Sequence, residues 1–252
     1  MTTALTSEEE SRIYGGSNAK TDKHMYMAGL YSYGLESDLF CGGTLIAPQY
    51  VLTAGHCLDR PIIDMVVSIG SEHSSGRSSQ MSELKKAVQA FRLPQYRMGT
   101  DYTPLTHDVA LLKLDTPSKI QPARLPFVDG SDNEPGVMAT ALGWGLCAKL
   151  YAEAGEQFLF DDSMICAGKV KGKDICSGDS GGPLLVGDVV VGIVSFGPEE
   201  CGVLPGIYAR VSVVLEFIND IQNGASTGNV TALLTVPNFL FNTTESHDGS
   251  TD

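Results

Sequence analysis

The chain contains few positively charged residues for its length. Its 252 residues include 17 Lys and Arg against 30 Asp and Glu, which gives a formal net charge of −13 at pH 7. Binding to nucleic acid or to an anionic membrane surface draws on an excess of basic side chains. The composition therefore argues against a nucleic acid or a membrane as partner, whereas an acidic surface would attract a basic substrate.

Long apolar runs and metal-binding spacings of cysteine or histidine are also missing. No run is long and apolar enough to span a bilayer. Neither Cys-x-x-Cys nor His-x-x-x-His occurs, so the sequence predicts no metal site and no other cofactor. The first ten residues have no basic start followed by an apolar stretch, so no secretory signal is visible in this chain.

Six cysteines are scattered along the chain, and their even number favours disulfides formed in an oxidising compartment. They are Cys41, Cys57, Cys147, Cys166, Cys176 and Cys201. Six cysteines permit many alternative pairings, and the sequence alone does not choose among them. The sequons that begin at Asn229 and Asn242 are acceptors for N-glycosylation, which requires a secretory route. We therefore expect a secreted, extracellular glycoprotein.

Short apolar, β-branched runs alternate with clusters of Gly, Pro, Ser and Asp, which is typical of an all-β sandwich or barrel. The runs occupy residues 43–47, 65–69, 109–114, 137–142, 183–186 and 189–196. The proline-containing stretch 114–126 has the composition of a linker between two halves. Residues 211–221 carry apolar side chains at helical spacing, so a C-terminal helix is predicted there, with Ser212 as its cap.

Three separated segments carry side chains that suit nucleophilic catalysis. His56 lies in the segment TAGHC, Asp108 in HDVALLKL and Ser180 in CSGDSGGP. A serine hydroxyl becomes an effective nucleophile when a base takes its proton, and a carboxylate orients that base. Gly178 and Gly181 permit backbone conformations in which the amides of Gly178 and Ser180 form an oxyanion hole.

These segments, in this order and with cysteines at matching places, resemble those of trypsin-like serine proteases of the chymotrypsin family. The resemblance implies an all-β fold of two packed antiparallel β-barrels followed by a C-terminal α-helix, with the site in the cleft between the barrels. It also implies that His56 and Asp108 come from the first barrel and Ser180 from the second. The predicted parts are a pro-segment (1–12), a protease domain (13–224) made of a first barrel (13–116) and a second barrel with the helix (117–224), and a partly disordered extension (225–252).

The resemblance also implies roles for residues around the three segments. It pairs Cys41 with Cys57, Cys147 with Cys166 and Cys176 with Cys201. Ser195 matches a serine that helps to hold the catalytic aspartate. His107, next to Asp108, is expected to be a solvated neighbour with its side chain pointing away.

Substrate specificity and activation are implied in the same way. Asp174 matches the acid at the base of the primary specificity pocket, and Gly197 and Gly206 match the two glycines of the pocket wall, so cleavage after Arg or Lys is expected. Cleavage between Arg12 and Ile13 would free an ammonium group that pairs with Asp179 and orders the oxyanion hole. The intact chain is therefore predicted to be a zymogen.

One segment departs from the family pattern. Only residues 146–165 separate Gly145 from Cys166, and family members are longer here, so the second barrel is predicted to lack a strand. A skipped exon, a degenerate homologue and a replacement strand at 230–236 are the three explanations.

The function predicted is a secreted serine endopeptidase that acts on protein or peptide substrates with Arg or Lys and is open to protein inhibitors. The alternative is a catalytically weak or silent homologue that binds or inhibits a partner protein.

Overall fold

A computed structural model describes residues 23–35, 37–59, 64–71, 75–76, 82–100, 105–129, 131, 141–142, 144–155, 160–168, 175, 178–198 and 203–234. The strands are β1 (Met27–Tyr31), β2 (Leu39–Ala47), β3 (Tyr50–Thr53), β4 (Val66–Ile69), β5 (Glu83–Arg92), β6 (Ala110–Leu114), β7 (Ala141–Leu142), β8 (Met164–Ala167), β9 (Pro183–Val186), β10 (Val189–Phe196) and β11 (Gly206–Arg210). The α-helices are α1 (Trp144–Glu153) and α2 (Leu215–Gln222), and short 3₁₀ helices cover Gly55–Leu58, Ser212–Val214 and Thr231–Leu234.

The first six strands form a closed antiparallel barrel in the order β1-β2-β3-β6-β5-β4. Apolar residues such as Leu30, Val67 and Leu112 are fully buried in its core. Closure pairs both edges of the sheet, so no barrel strand is left with an unpaired side. The barrel places the loops that carry His56 and Asp108 at one end of neighbouring strands, because β3 pairs with β6.

The remaining strands form a second antiparallel sheet in the order β7-β8-β11-β10-β9. Ile165, Val191, Val194 and Tyr208 are buried in its own apolar cluster. The predicted fold class is confirmed, because the chain is mostly β, with a closed barrel, a second sheet and a C-terminal helix.

Helix α1 occupies the short segment in which a strand was predicted to be lost, and the sequence analysis did not anticipate it. Tyr151 in this helix is buried, and its hydroxyl donates a hydrogen bond to the Pro205 carbonyl at 2.7 Å. The Tyr151 ring also meets the Phe160 ring edge to face. Helix α1 therefore packs against the second sheet. None of the helices within the described ranges has the length and apolar content that crossing a bilayer requires.

The C-terminal helix lies where its apolar spacing predicted it. Phe217, Ile218 and Ile221 are buried in the core that also contains the first-barrel residues. The predicted capping by Ser212 is wrong: a 3₁₀ turn at Ser212–Val214 precedes α2, and Val214, the cap residue, offers no side-chain hydrogen bond. An apolar side chain cannot accept from the first amides, so the preceding 3₁₀ turn leads into the helix instead.

The extension after α2 packs on the first barrel. The proposal that residues 230–236 replace a strand of the second barrel is wrong, because residues Thr231–Leu234 form a 3₁₀ helix beside β5 and Leu234 is buried in the first core. The side-chain oxygen of Asn229 accepts a hydrogen bond from the Thr231 amide at 2.9 Å. This local bond turns the backbone at the start of the segment and competes with an extended conformation.

The predicted division into a pro-segment, two barrels and an extension stays a prediction. The pro-segment (1–12) and the C-terminal residues 235–252 lie outside the described residues. Helix α2, assigned by prediction to the second half, shares its core with the first barrel.

The raised pKa values of two tyrosines predict how the free energy of unfolding changes with pH in the alkaline range. Burial raises the pKa of Tyr31 to about 12, and burial together with the nearby Asp188 carboxylate raises the pKa of Tyr26 to about 12. Above pH 10 the unfolded chain releases these protons more readily than the folded chain, so the free energy of unfolding falls between pH 10 and pH 12. Below pH 10 both states are protonated and stability does not change through these groups. Urea unfolding across this range checks the prediction.

The control for this pH prediction is Tyr31→Phe, which removes one titrating phenol. We expect the variant to lose stability less steeply than wild type above pH 10, whatever its stability at neutral pH. Identical slopes would show that Tyr31 does not contribute to the pH dependence.

Candidate active site

The turn that follows β3 holds His56 at the mouth of the first barrel. His56 lies in the 3₁₀ helix Gly55–Leu58, and its side chain is 25% exposed. Cys57 in the same turn forms a disulfide with Cys41 of β2, as the family resemblance implies. The disulfide ties the turn to a barrel strand, so the backbone on either side of His56 is fixed.

Asp108 stands just before β6 and is 1% exposed. Its Oδ2 lies 2.7 Å from His56 Nδ1, and its Oδ1 accepts a hydrogen bond from the His56 backbone amide at 2.7 Å. A buried carboxylate is stable only when donors surround it. The two bonds fix both the position of the His56 backbone and the orientation of its ring.

Ser195 supplies the third donor to Asp108. Its hydroxyl donates to Asp108 Oδ2 at 2.5 Å, and its side chain is buried. The register of β10 against β11 shifts between Val194 and Phe196, which is the signature of a bulge at Ser195. A bulge redirects one side chain, and here it aims the serine of the second sheet at the acid of the first barrel.

His107 differs from its prediction. Its Nδ1 is buried and has no hydrogen-bond partner among the described residues, and the residue is partly buried rather than solvated. It adopts a φ of 53° and lines a groove of about 450 Å³ together with Leu93, Val213 and Phe217. The residue therefore lies at a groove instead of being fully solvated, and its expected direction away from the site stays a prediction.

The loop that carries Ser180 is hydrogen-bonded to both halves of the molecule. The Gly42 amide of β2 donates to the Ser180 carbonyl at 2.7 Å. The Gly181 amide donates to the Val194 carbonyl at 2.9 Å, and the Val194 amide donates to the Gly182 carbonyl at 2.8 Å. The loop is therefore held between a first-barrel strand and a second-sheet strand.

Gly181 permits the closest approach in this region. A Cβ there would lie 2.3 Å from Thr53 Oγ1, 2.4 Å from the Gly42 carbonyl and 3.3 Å from the Ala54 amide. Its φ of 81° also lies in the left-handed region that favours glycine. Because Ala54 is two residues before His56, this contact brings the Ser180 loop against the turn that carries the histidine.

The catalytic roles of His56, Asp108 and Ser180 stay predictions. Between the two described residues Ser180 and His56, no side-chain hydrogen bond is present, and the Ser180 side chain is half-buried. Gly178 has a φ of 100° and is exposed. The oxyanion hole assigned to the Gly178 and Ser180 amides is likewise a prediction.

The predicted specificity pocket is described in part. A Cβ at Gly197 would lie 3.8 Å from Ile175, which is buried, and Gly206 pairs with Ala167 across β11 and β8. Asp174, the predicted acid of the pocket, lies outside the described residues. Preference for Arg or Lys is therefore a prediction from the resemblance.

Several other predicted residues also lie outside the described ranges. They are Arg12, Ile13, Cys176, Cys201 and Asn242. Cys166 is disulfide-bonded, and the side chain of Cys147, its predicted partner, is among those not described. Asp179, the predicted partner of the new ammonium group, is half-buried, and Asn229 is exposed.

One cluster of potential metal ligands lies within this region. The sulfur atoms of Cys41 and Cys57 and a ring nitrogen of His56 all lie within 4.8 Å of one another. The two sulfur atoms are bonded to each other, so neither is a thiolate. Cysteine binds metal as the thiolate, so this donor set does not fit a metal ion.

The sequence analysis missed a polar cluster beside the His56 turn. The Tyr96 hydroxyl donates to Asp59 Oδ2, and the Arg92 guanidinium lies 3.0 Å from Asp59 Oδ1. No sequence motif links Asp59 to Arg92 and Tyr96, because the folding of the barrel brings the turn after β3 next to the end of β5. A sequence signal for the cluster would require the strand register.

The sequence is similar to several known proteins over most of its length. The sequence model of the family described as Trypsin matches residues 13–218. Glucanase inhibitor protein 3 of Phytophthora infestans is 37% identical over 248 residues, which cover 88% of this chain and 93% of that protein. Glucanase inhibitor protein 2 of the same species is 33% identical over 238 residues, with 84% and 90% covered. Trypsin 5G1 of Aedes aegypti is 34% identical over 243 residues, with 84% and 85% covered.

Proposed function

This chain belongs to the trypsin family, and on that premise we propose that it binds a partner protein and inhibits a glucanase. The similarity to a glucanase inhibitor over 88% of this chain and 93% of the relative carries the proposal. The formal charge of −13 supports a partner with a basic surface, because complementary potentials steer association. This function corresponds to the alternative that the sequence analysis kept open.

The proposed docking region is the junction of the two halves around the Ser180 loop. His56 is 25% exposed and Ser180 is half-buried, so both face a region that a partner segment can reach. Hydrogen bonds from Gly42 and Val194 to this loop support a preformed surface. A preformed surface loses little conformational entropy on binding.

Proteolysis is the second candidate function, and the donors around Asp108 favour it. The His56 Nδ1 and Ser195 Oγ contacts to that carboxylate would hold the imidazole so that Nε2 faces the nucleophile. In this candidate Ser180 Oγ attacks the scissile carbonyl carbon while His56 Nε2 accepts its proton. His56 then protonates the leaving amine, and water hydrolyses the acyl-enzyme.

The remaining assignments of this second candidate come from the family resemblance. The Gly178 and Ser180 amides would stabilise the oxyanion, and Asp174 would bind the Arg or Lys of the substrate. Cleavage after Arg12 would activate the zymogen. Secretion is part of both candidates, and the exposed position of Asn229 supports its glycosylation.

The inhibition of purified glucanases by wild type and by Ser180→Ala tests the proposal. Inhibition by binding does not use the serine hydroxyl, so we expect both proteins to inhibit the same glucanase with inhibition constants within about twofold of each other. Gel electrophoresis would show the glucanase intact at the end of the assay. The assay uses a panel of glucanases, because the proposal names the class of partner.

Labelling with a fluorophosphonate after trypsin treatment separates the two candidates. Stoichiometric labelling of wild type, no labelling of Ser180→Ala and no glucanase inhibition by either would contradict the proposed function and support the endopeptidase. Cleavage of an arginine ester in preference to a phenylalanine ester would then test the Asp174 pocket.

A further inference from the structure

A tyrosine ring packs directly on the residue before His56. A Cβ at Gly55 would lie 2.9 Å from Tyr96 Cδ2 and 3.2 Å from Tyr96 Cε2. The same Cβ would lie 3.2 Å from Asp108 Oδ1. A side chain at residue 55 would therefore meet both the Tyr96 ring and the buried carboxylate, and the ring packs against the entry into the His56 turn.

Asp59 connects the far end of this turn to the same ring. Its backbone amide donates to the His56 carbonyl at 3.0 Å and closes the 3₁₀ helix. Its carboxylate accepts from the Tyr96 hydroxyl and pairs with Arg92. Burial, followed by the hydrogen bond to Asp59, raises the pKa of Tyr96 well above its ordinary value, so the phenol remains a donor.

Arg92 completes the cluster and is itself held by the extension. Its guanidinium carbon lies 4.7 Å from the centre of the Tyr96 ring, within the range of a cation–π contact. Its backbone amide donates to the Gly228 carbonyl at 2.8 Å. The side chains of Arg92 and Asp59 are 20% and 22% exposed, so solvent only partly screens their ion pair.

The extension lies along β5 at this point. The Val230 amide donates to the Ala90 carbonyl at 2.8 Å, and Phe91 forms an antiparallel bridge with Asn229. The matched family domain ends at residue 218, so these contacts come from a part of the chain beyond it. A physical connection therefore runs from the extension through Arg92, Asp59 and Tyr96 to both ends of the His56 turn.

We propose that the extension (225–234) and the cluster of Asp59, Arg92 and Tyr96 position His56. The extension fixes the backbone of Arg92, Arg92 and Asp59 hold the Tyr96 ring, and the ring and Asp59 hold the turn. The inference goes beyond the proposed function, because it concerns the placement of His56 in either candidate. Any consequence for catalysis depends on the second candidate.

A pair of glycine substitutions tests the role of the extension. A Cβ at Gly228 would lie 1.8 Å from the Arg92 carbonyl oxygen, so Gly228→Ala forces the extension away from β5. Gly224→Ala is the matched control, because Gly224 also has a positive φ (95° against 67°) but no atom of the described residues lies within 4 Å of its Cβ position. Both variants carry backbone strain, but only Gly228→Ala also displaces the extension.

The readout is the proton between His56 Nδ1 and Asp108, observed by NMR in protein labelled with ¹⁵N-histidine. We expect Gly228→Ala to increase the exchange of this proton with solvent by about tenfold or to broaden its signal beyond detection. Gly224→Ala should leave the signal where it is in wild type. An equal increase in the exchange rate in both variants would overturn the proposal, as would no increase in either.

A pair of tyrosine substitutions tests the cluster without disturbing the extension. Tyr96→Phe keeps the ring on Gly55 and removes the hydroxyl that binds Asp59. Tyr50→Phe is the control, because its hydroxyl donates to the Ile221 carbonyl at 3.3 Å, in α2 rather than in the cluster. We expect the His56 signal to exchange faster in Tyr96→Phe only, and an equal effect in Tyr50→Phe would overturn the proposal.

The two pairs remain decisive when one variant fails to fold. If near-ultraviolet circular dichroism shows that Gly228→Ala is unfolded, the comparison of Tyr96→Phe with Tyr50→Phe decides. The NMR signal requires neither glucanase inhibition nor peptide cleavage. A wild-type protein that does neither would contradict the proposed function and leave this test intact.

Discussion

Replacing Asp108 by alanine should lower the free energy of unfolding by about 3–5 kcal/mol, the cost of removing one partner from a buried polar set. Asp108 is 1% exposed and accepts hydrogen bonds from the His56 amide, His56 Nδ1 and Ser195 Oγ. Alanine would leave these donors without the acceptor that they share, and the buried Ser195 hydroxyl is one of them. Urea unfolding at neutral pH measures the loss.

Two substitutions serve as controls for Asp108→Ala. Asp108→Asn keeps one acceptor oxygen, so we expect about half of the loss. Asp115→Ala removes an exposed acid that accepts from the Thr116 amide at 2.8 Å, and it should cost less than about 1 kcal/mol. If Asp108→Ala lowered the free energy of unfolding no more than Asp115→Ala does, the three hydrogen bonds that Asp108 accepts would not stabilise the fold.

Gly181→Ala should lower the free energy of unfolding by about 2–4 kcal/mol, the sum of about 1 kcal/mol for a left-handed backbone and about 1–3 kcal/mol for an overpacked contact. The new methyl group would lie 2.3 Å from Thr53 Oγ1 and 2.4 Å from the Gly42 carbonyl oxygen. The Thr53 hydroxyl already donates to that carbonyl at 2.8 Å, so it cannot move without losing its partner. The Ser180 loop would have to move away from the first barrel.

Gly187→Ala is the matched control for Gly181→Ala. Gly187 also has a positive φ, 59°, but within the part of the chain that the structure describes nothing lies within 4 Å of its Cβ position. Only the backbone strain remains there, about 1 kcal/mol. Equal losses in the two variants, measured by urea unfolding, would show that the close approach of Gly181 to Thr53 does not stabilise the fold.

The β-strands and the acid–histidine pair could be predicted from the sequence for different reasons. The apolar runs at 109–114 and 189–196 have the length and composition of buried strands; β6 lies within the first run and β10 coincides with the second. The chemistry of the three segments indicates His56 and Asp108, the family resemblance adds Ser195, and the structure brings these three together. Composition alone would not have paired residues 56, 108 and 195.

The features that could not be predicted depend on long-range contacts. Residues 230–236 have β-branched composition, yet Asn229 turns the backbone and the first barrel buries Leu234, so tertiary contacts override residue preference. Helix α1 is stabilised by its own Tyr151, which packs on Cys166 and Ile207 of the second sheet. The cluster of Asp59, Arg92 and Tyr96 joins a turn to a strand and the residues that follow it. Local sequence contains no information on any of these partners.

The bulge at Ser195 couples the thermodynamics of the two halves. Ser195 of β10 provides the hydroxyl, and Asp108, just before β6 of the barrel, provides the carboxylate. The hydrogen bond between them is therefore lost when the two halves separate. Opening this junction would break that hydrogen bond and expose the apolar core in which Val190 and Ile193 of β10 pack with first-barrel residues, so a partly open form is disfavoured relative to both the fully folded and the fully unfolded chain. The polypeptide should therefore melt in one calorimetric transition, and a ligand that clamps the cleft should raise the melting temperature of both sheets together.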